Sequence, residues 1–219
     1  MGDFILTGHY VDINFNNETT RMSWPVNDIE TLKVISKEWE EHSNKYLSRL
    51  KTKRTVIQAG GHCGLYAKIY VNLFERVFTF EPELNNFTHL TNNCNDTRIV
   101  KLNAALSDEN DFVSMGIVSY INTGMHKVLP KGIFGLIAYG ITLDSIKPKD
   151  VDLIHLDVEG YEYNALKGAV KTISKYKPLI VLEMTEKTDK IYALMKKLGY
   201  EEVEVYITMS KNSIFEYKG

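Results

Sequence analysis

The chain has little from which to build a disulfide framework or a thiolate metal site. Cys63 and Cys94 are its only cysteines; they lie far apart and form no metal-ligand or redox spacing. Two separate, buried, reduced thiols are expected, which suits an intracellular protein. Long apolar runs are also missing. No stretch approaches the roughly 20 apolar residues of a membrane span. The opening MGDFILTGHYVD has no basic segment followed by an apolar one. A cytoplasmic protein with no membrane partner is the expectation, and Leu6 at the sixth position speaks against acylation of Gly2. Nor does one sign of charge dominate. With 26 Lys and Arg against 28 Asp and Glu, the formal net charge is -2. That gives no electrostatic case for nucleic acid, and no nucleic-acid partner is predicted. The one local basic run, Lys51, Lys53 and Arg54, reads as a solvated helix end.

What is present describes a globular protein: 44% apolar and 25% charged residues in a chain of 219. That length suits one domain with a short extension. The first 25 residues read as polar and irregular, with FNNETTRMSWP the least structured part. VNDIETLKVISKEWEEHSNKYLSRL then reads as an amphipathic helix. Ile29, Leu32, Ile35, Trp39, Tyr46 and Leu50 recur at helical spacing, and Asp28 suits the first turn. Residues 1–53 are thus expected to form an extension that packs on or covers the cleft of a main domain, residues 54–219.

From Thr55 strands and helices alternate. TVIQA, RVFTFE, RIVKLNAAL, VDLIHLDV and KPLIVLEM read as strands. GLYAKIYVNLF, ELNNFTHLTNNC, YEYNALKGAVKTISKY and KIYALMKKLG read as helices, and YEEVEVYI and NSIFEYK as a final strand pair. This order predicts an α/β fold with a mostly parallel sheet, helices on both faces and one antiparallel insertion.

The turn QAGGHCG follows the first of these strands. Gly60, Gly61 and Gly64 permit close backbone approach, and Glu81 ends the next strand about twenty residues on. In nucleotide-binding folds an acid there accepts hydrogen bonds from ribose hydroxyls. The dinucleotide pattern G-x-G-x-x-G is absent, because these glycines read G-G-x-x-G. A ligand with ribose but no phosphate fits better, and S-adenosylmethionine is such a ligand.

FEPELNNFTHLTNNCNDTRIVKLNAALSDEN, ITLDSI, VDLIHLDVEGYEYNALKGA and KYKPLIVLE occur in that order. Together they resemble FkbM-type methyltransferases over roughly Thr55 to Glu183. The resemblance implies a Rossmann-like class I methyltransferase sheet of seven strands, one of them antiparallel, and S-adenosylmethionine as methyl donor. It implies that the backbone at Gly60, Gly61 and Gly64 flanks the methionine and ribose, that Glu81 with Pro82 binds the ribose, and that Asn103 and Ala104 approach the adenine. Gln58 stands where the family usually carries an acid beside the cofactor's ammonium, so Gln58→Asp is expected to be tolerated. Gly61 and His62 stand where alanine and asparagine are usual.

Asp157 ends the fourth strand beside the expected methyl-transfer centre, and Glu159 follows. Both are candidate catalytic acids, with Asp157 also a cofactor contact. Glu159 reads equally well as a helix-start acid. His155, two residues before Asp157, reads as a packed core residue more readily than as a base. No second ligand cluster accompanies the D-V-E acids, so no metal is predicted. His126 and Lys127, in the polar stretch NTGMHK, could meet a sugar hydroxyl or an anion. Ser107 and Asp108 read as turn-shaping.

The resemblance implies O-methylation of a hydroxyl on a saccharide or related small molecule as the leading function. An NAD(P)-dependent oxidoreductase and a non-catalytic methyltransferase-like domain are the alternatives. Oligomeric state is not legible.

Overall fold

The computed structural model describes residues 4–7, 10–15, 18–29, 43, 45–119, 121–184, 189–207 and 211–219. Most of the expected amphipathic helix, with Leu32, Ile35 and Trp39, lies outside the described residues. Within them, residues 45–47 are helical and Tyr46 is buried.

The first 25 residues are not irregular. β1 (Phe4–Thr7), β2 (Tyr10–Phe15) and β3 (Glu18–Ser23) form an antiparallel sheet in the order β1-β2-β3. The cause is a short period-2 pattern hidden among polar residues. Val11 and Ile13 alternate with Asp12, and Val11 pairs in register with Met22. Val11, Ile13, Met22 and Trp24 are all buried. Asp28 is also not a helix-start acid; it is fully buried and hydrogen-bonded to His62 and Thr123.

β4 (Thr55–Ala59), α1 (Leu65–Tyr70), β5 (Arg76–Phe80), α2 (Leu84–Asn93) and β6 (Ile99–Leu102) then alternate as expected. The third expected strand, RIVKLNAAL, breaks after Leu102. Its end is a separate β7 (Ala105–Leu106), which leaves the main sheet. β8 (Asp111–Gly116), β9 (Lys127–Val128) and β10 (Leu136–Ile141) join β7 in a small sheet of order β7-β10-β8-β9. A short α3 (Leu143–Ile146) leads to β11 (Val151–Leu156). The long expected helix after it is two, α4 (Glu162–Lys167) and α5 (Val170–Tyr176). Gly168 marks the break, because a Cβ there would lie 1.9 Å from the carbonyl oxygen of Ser107. β12 (Leu179–Met184), α6 (Asp189–Lys197), β13 (Tyr200–Ile207) and β14 (Lys211–Tyr217) complete the chain.

The main sheet has seven strands in the order β13-β14-β12-β11-β4-β5-β6. β14 runs antiparallel to both its neighbours, while the pairs linking β12, β11, β4, β5 and β6 are parallel. Alternate side chains feed opposite cores. Val56, Leu153, Val181 and Ile214 pack with α1, Leu90 of α2 and the N-terminal strands. Ile57, Ile154, Ile180 and Phe215 pack with α4, α5 and α6. Helices therefore cover both faces. The central β4 is buried along its whole length, the polar Thr55 and Gln58 included.

Cys63 and Cys94 are buried free thiols. Arg54 is paired with Asp152 and Asp150, so the basic run around it is partly neutralised.

Candidate functional site

The chain lays down β4, β5 and β6 in one direction from the sheet centre, then β11 and β12 in the other. The carboxyl ends of β4 and β11 therefore flank a switch point, where open α/β sheets bind ligands. A cavity of about 350 Å³ opens there. Seven of the ten sequence-predicted site residues line it: Gly60, Gly61, Glu81, Pro82, Ala104, Asp157 and Glu159. Gln58, Gly64 and Asn103 do not.

The glycine turn is held from below. The backbone N–H groups of Gly60 and Gly61 both donate to the Phe80 carbonyl, at 3.1 and 2.8 Å. Gly60 has φ +85°, and a Cβ on it would lie 1.8 Å from the Asp157 carbonyl oxygen. No side chain fits where these strand ends meet. Gln58 is fully buried; its Nε2 donates to the Gly60 carbonyl at 2.7 Å and its Oε1 accepts from Thr79. It shapes the turn from behind. Gly64 does a different job, with φ +87° at the start of α1, where a Cβ would press on Cys94 Sγ at 2.7 Å. Asn103 is exposed, and its Nδ2 donates to the carbonyls of Glu81 and Pro82 at 2.8 and 3.2 Å. It ties the β5 and β6 ends together.

Glu81 is buried, and both its carboxylate oxygens are engaged. His62 N–H donates to Oε2 at 2.7 Å and Glu83 N–H to Oε1 at 2.8 Å. Burial nevertheless raises its pKa to about 7, outweighing those donors. Asp157 extends the ladder beyond β11, its N–H donating to Ala59 O at 3.0 Å. Its carboxyl is pushed well up, first by burial and then by Glu183, to which it is hydrogen-bonded. Glu159 has φ +53°, and burial followed by the charge of Asp157 raises it to about 7. Several carboxyl groups thus crowd one end of the cavity, which suits a cation. Among the described residues no group of three or more His, Cys, Asp or Glu side chains is arranged to hold a metal.

His155 does not share that setting. It is buried under α1, with Nδ1 2.7 Å from the Tyr70 hydroxyl, and burial lowers its pKa to about 4.

Several cavity residues carry no signal in the sequence. Glu183 is brought beside Asp157 by register, since Leu156 pairs with Leu182. Adding one residue to each parallel strand would have found it. His62 Nε2 meets Asp28 at 2.9 Å and Thr123 at 2.8 Å, and Thr123 Oγ1 donates to Asp28 at 2.7 Å. This locks the stretch around Thr123 over the glycine turn. Asn86 donates to the Thr123 carbonyl, while its buried Oδ1 has no partner among the described residues. Ser107 Oγ meets the Tyr161 hydroxyl and Asp108 is bonded to Asn164 and Lys167, so both tether their segment to α4 and its start.

The strand order, the single reversed strand and the cavity at the switch point define a class: this is the class I methyltransferase fold. Within that class, the model of the methyltransferase FkbM domain matches residues 137–202, from β10 into β13, so the chain carries the FkbM signature over that segment. Among solved structures, the methyltransferase FkbM from Methylobacillus flagellatus KT is 18% identical with a TM-score of 0.54. The match covers 75% of this chain but 44% of that one, so this chain spans less than half that protein's length. A precorrin-6y C5,15-methyltransferase from Geobacter metallireducens GS-15 is 15% identical with a TM-score of 0.50, covering 85% of this chain and 91% of that one. An rRNA methylase from Streptococcus thermophilus is 10% identical with a TM-score of 0.51, covering 81% and 95%. At such identities the likeness concerns the fold. No curated protein matches the chain. No helix among the described residues is long and apolar enough to cross a membrane.

Proposed function

We propose that the chain transfers the methyl group of S-adenosylmethionine to a hydroxyl oxygen, on a saccharide or related small molecule. One observation carries the reading: Glu81 and the Gly60–Gly61 turn share a cavity with the Asp157, Glu183 and Glu159 acids at the switch point. The residues fit the donor. A cavity of about 350 Å³ is of the size that small-molecule and cofactor sites have. Glu81, with both oxygens preset by backbone donors, accepts from the ribose hydroxyls, beside the Gly60–Gly61 backbone and Pro82. Ala104 offers an apolar surface to the adenine, and Asn103 acts through the Glu81–Pro82 backbone. Gln58 acts through Gly60, and Gly64 through the seating of α1. Asp157 and Glu159, raised towards protonation in the empty cavity, would be drawn back to their charged forms by the cationic sulfur and help to orient the acceptor.

When bound, S-adenosylmethionine supplies an activated methyl on a sulfonium. The chain's own contribution is to hold that methyl in line with the acceptor oxygen and to exclude water. The acidic wall supports a neutral acceptor in preference to a polyanion such as RNA.

Calorimetry with S-adenosylmethionine and NADH tests the cofactor. Binding of the first alone is expected; binding of NADH alone would favour an oxidoreductase. A mass-spectrometric screen of glycans, nucleotide sugars and a short RNA then reads methyl gain. Methylation of the RNA alone would replace the saccharide assignment. Cofactor binding without transfer to anything in a broad panel would favour a non-catalytic domain.

A further inference from the structure

We propose that the chain forms a twofold dimer through the outer face of its small sheet, behind the stretch around Thr123 that overhangs the glycine turn. β8 and β10 pair antiparallel, so residues opposite one another share a face. Met115 is buried and lines the cavity. Residues that alternate with it turn the other way. Phe112 stands opposite Tyr139, and Ile137 lies on the same side two residues before Tyr139. Phe112 is 71% exposed, Ile137 68% and Tyr139 43%. The two rings meet edge to face, with centroids 5.8 Å apart. The turn leading into β10 adds Ile133, 51% exposed, and Phe134, 98% exposed. One face of this sheet is therefore a cavity wall, and the other shows apolar side chains to water. Nothing among the described residues covers it, whereas helices cover both faces of the main sheet.

The size of the patch points to a partner. With roughly 200 Å² for a whole large side chain, these exposures amount to about 650 Å² of apolar surface. The largest patch on an ordinary monomer is about 300–600 Å². A standard interface takes about 800 Å² from each partner, with a polar rim around an apolar centre. The patch and its rim together reach that size.

Charge selects a second copy over a lipid surface. β8 begins at Asp111 and ends at Gly116, which pairs with Lys127 of β9, and both Asp111 and Lys127 are exposed. At the same rim Lys131 and Glu109 hold each other at 2.9 Å. These four charges cancel. An anionic lipid surface calls for an excess of basic residues. A balanced rim, with Asp111 and Lys127 at opposite ends of one strand, matches a copy of itself turned about a twofold axis. Asp111 of each chain then meets the partner's Lys127. Such an interface uses the same patch on both chains, so association stops at two.

Sedimentation equilibrium of the full chain, at concentrations up to about 100 μM, reads the mass. A monomer–dimer equilibrium is expected, with a melting temperature that rises with concentration. Phe112→Ser combined with Ile137→Lys should be monomeric throughout, because it sets two like charges against each other across the axis. Phe134→Ser alters a side chain that is 98% exposed, so it leaves the fold intact and should weaken the dimer about tenfold. Asp111→Lys and Lys127→Asp should each weaken it about fivefold, and the two together should restore it. A monomer at every concentration, or growth beyond two chains, overturns the proposal. So does a dimer that the Phe112, Ile137 and Phe134 variants leave unchanged, which would lie on another face. A monomer that binds vesicles of phosphatidylcholine and phosphatidylserine would give the patch to a lipid surface and overturn it equally.

Discussion

On the sheet side of the cavity, polar groups are matched to one another. Gln58 holds Gly60, Asn103 holds Glu81 and Pro82, and Glu81 accepts from His62 and Glu83. The overhanging side differs. Asn86 and His126 each keep a buried acceptor without a partner among the described residues, although each is anchored at its other end to a backbone carbonyl. Matched groups hold a geometry before any ligand arrives, which suits a part of the site that always binds the same molecule. Unmatched buried acceptors cost free energy, so this side is held less firmly than the sheet side. We propose the sheet side as the cofactor wall and the overhang as the acceptor wall.

Asp157 stands at the carboxyl-rich end, below the overhang, and its substitution is the strongest way to break that division. Asp157→Asn is expected to lower methyl transfer by roughly 10²-fold, the scale of a lost electrostatic group. Stability should hold or rise, because an amide donates to Glu183 and ends the repulsion that pushes Asp157 towards protonation. Transfer rate and thermal melting measured together decide it. Full transfer would leave Asp157 a structural neighbour of Glu183 and move the chemistry wholly to the overhang.

Gln58→Asp comes next, and here the structure reverses the expectation from sequence. An acid at that position seemed tolerable on family resemblance. The side chain, however, is fully buried, and its Nε2 is the donor to the Gly60 carbonyl. Aspartate has no donor and buries a charge. A loss of roughly 2 kcal/mol is expected in denaturant unfolding, together with weaker S-adenosylmethionine binding. Tighter binding would show that the turn repacks to bring the acid to the ligand.

What could be read in the sequence, and what could not, follows from how local each signal is. The β4–α1–β5 unit was legible because an apolar run, a glycine turn and a strand-end acid lie within thirty residues of one another. Gly60, Gly61, Glu81, Pro82 and Asp157 were found by their place at strand ends. Glu183 was not, because its role depends on the register of β12 against β11. Asp28, His62 and Thr123 meet across long stretches of chain, and nothing in their local sequence announces it. The N-terminal sheet was missed because only Val11, Ile13 and Met22 carry its alternation among polar residues. Gln58 and Asn103 lie beside the loop, but off the cavity, and their side chains bond to Gly60 and Thr79 and to the Glu81 and Pro82 carbonyls.

Glu81 offers a test through pH. Its folded pKa of about 7 lies above its ordinary value of 4.5, so the folded chain holds the proton more tightly than the unfolded one. Its contribution to stability is therefore greatest below about pH 4.5 and declines as pH rises towards about 7, by about 1.4 kcal/mol per unit at most. Glu81→Gln removes that decline and should melt higher than wild type at about pH 8. Ribose hydroxyls donate to the carboxylate, so wild-type S-adenosylmethionine affinity should rise with pH up to about 7 and then level. In the variant that rise should be shallower, since Glu159 still titrates near 7. Affinity at the plateau should fall about tenfold. Equal affinity in both chains at every pH would take the ribose away from Glu81.

The smallest effect is expected at Asn103, and it separates a positioning residue from a ligand contact. Its amide is committed to the carbonyls of Glu81 and Pro82, and it does not line the cavity. Asn103→Ala removes donors at an exposed site where water can replace them. A loss of about 0.5–1 kcal/mol in unfolding free energy is expected, with S-adenosylmethionine affinity lowered less than about threefold. The two losses should travel together, because both arise from a looser β5–β6 junction. Asn103→Asp carries the argument further. It keeps the size but sets a carboxylate against two carbonyl oxygens, so it should be the less stable of the two variants. If Asn103→Ala instead lost tenfold in affinity with unchanged unfolding, the side chain would have to turn from those carbonyls to the adenine when ligand binds. The cofactor wall would then be less preset than its hydrogen bonds indicate.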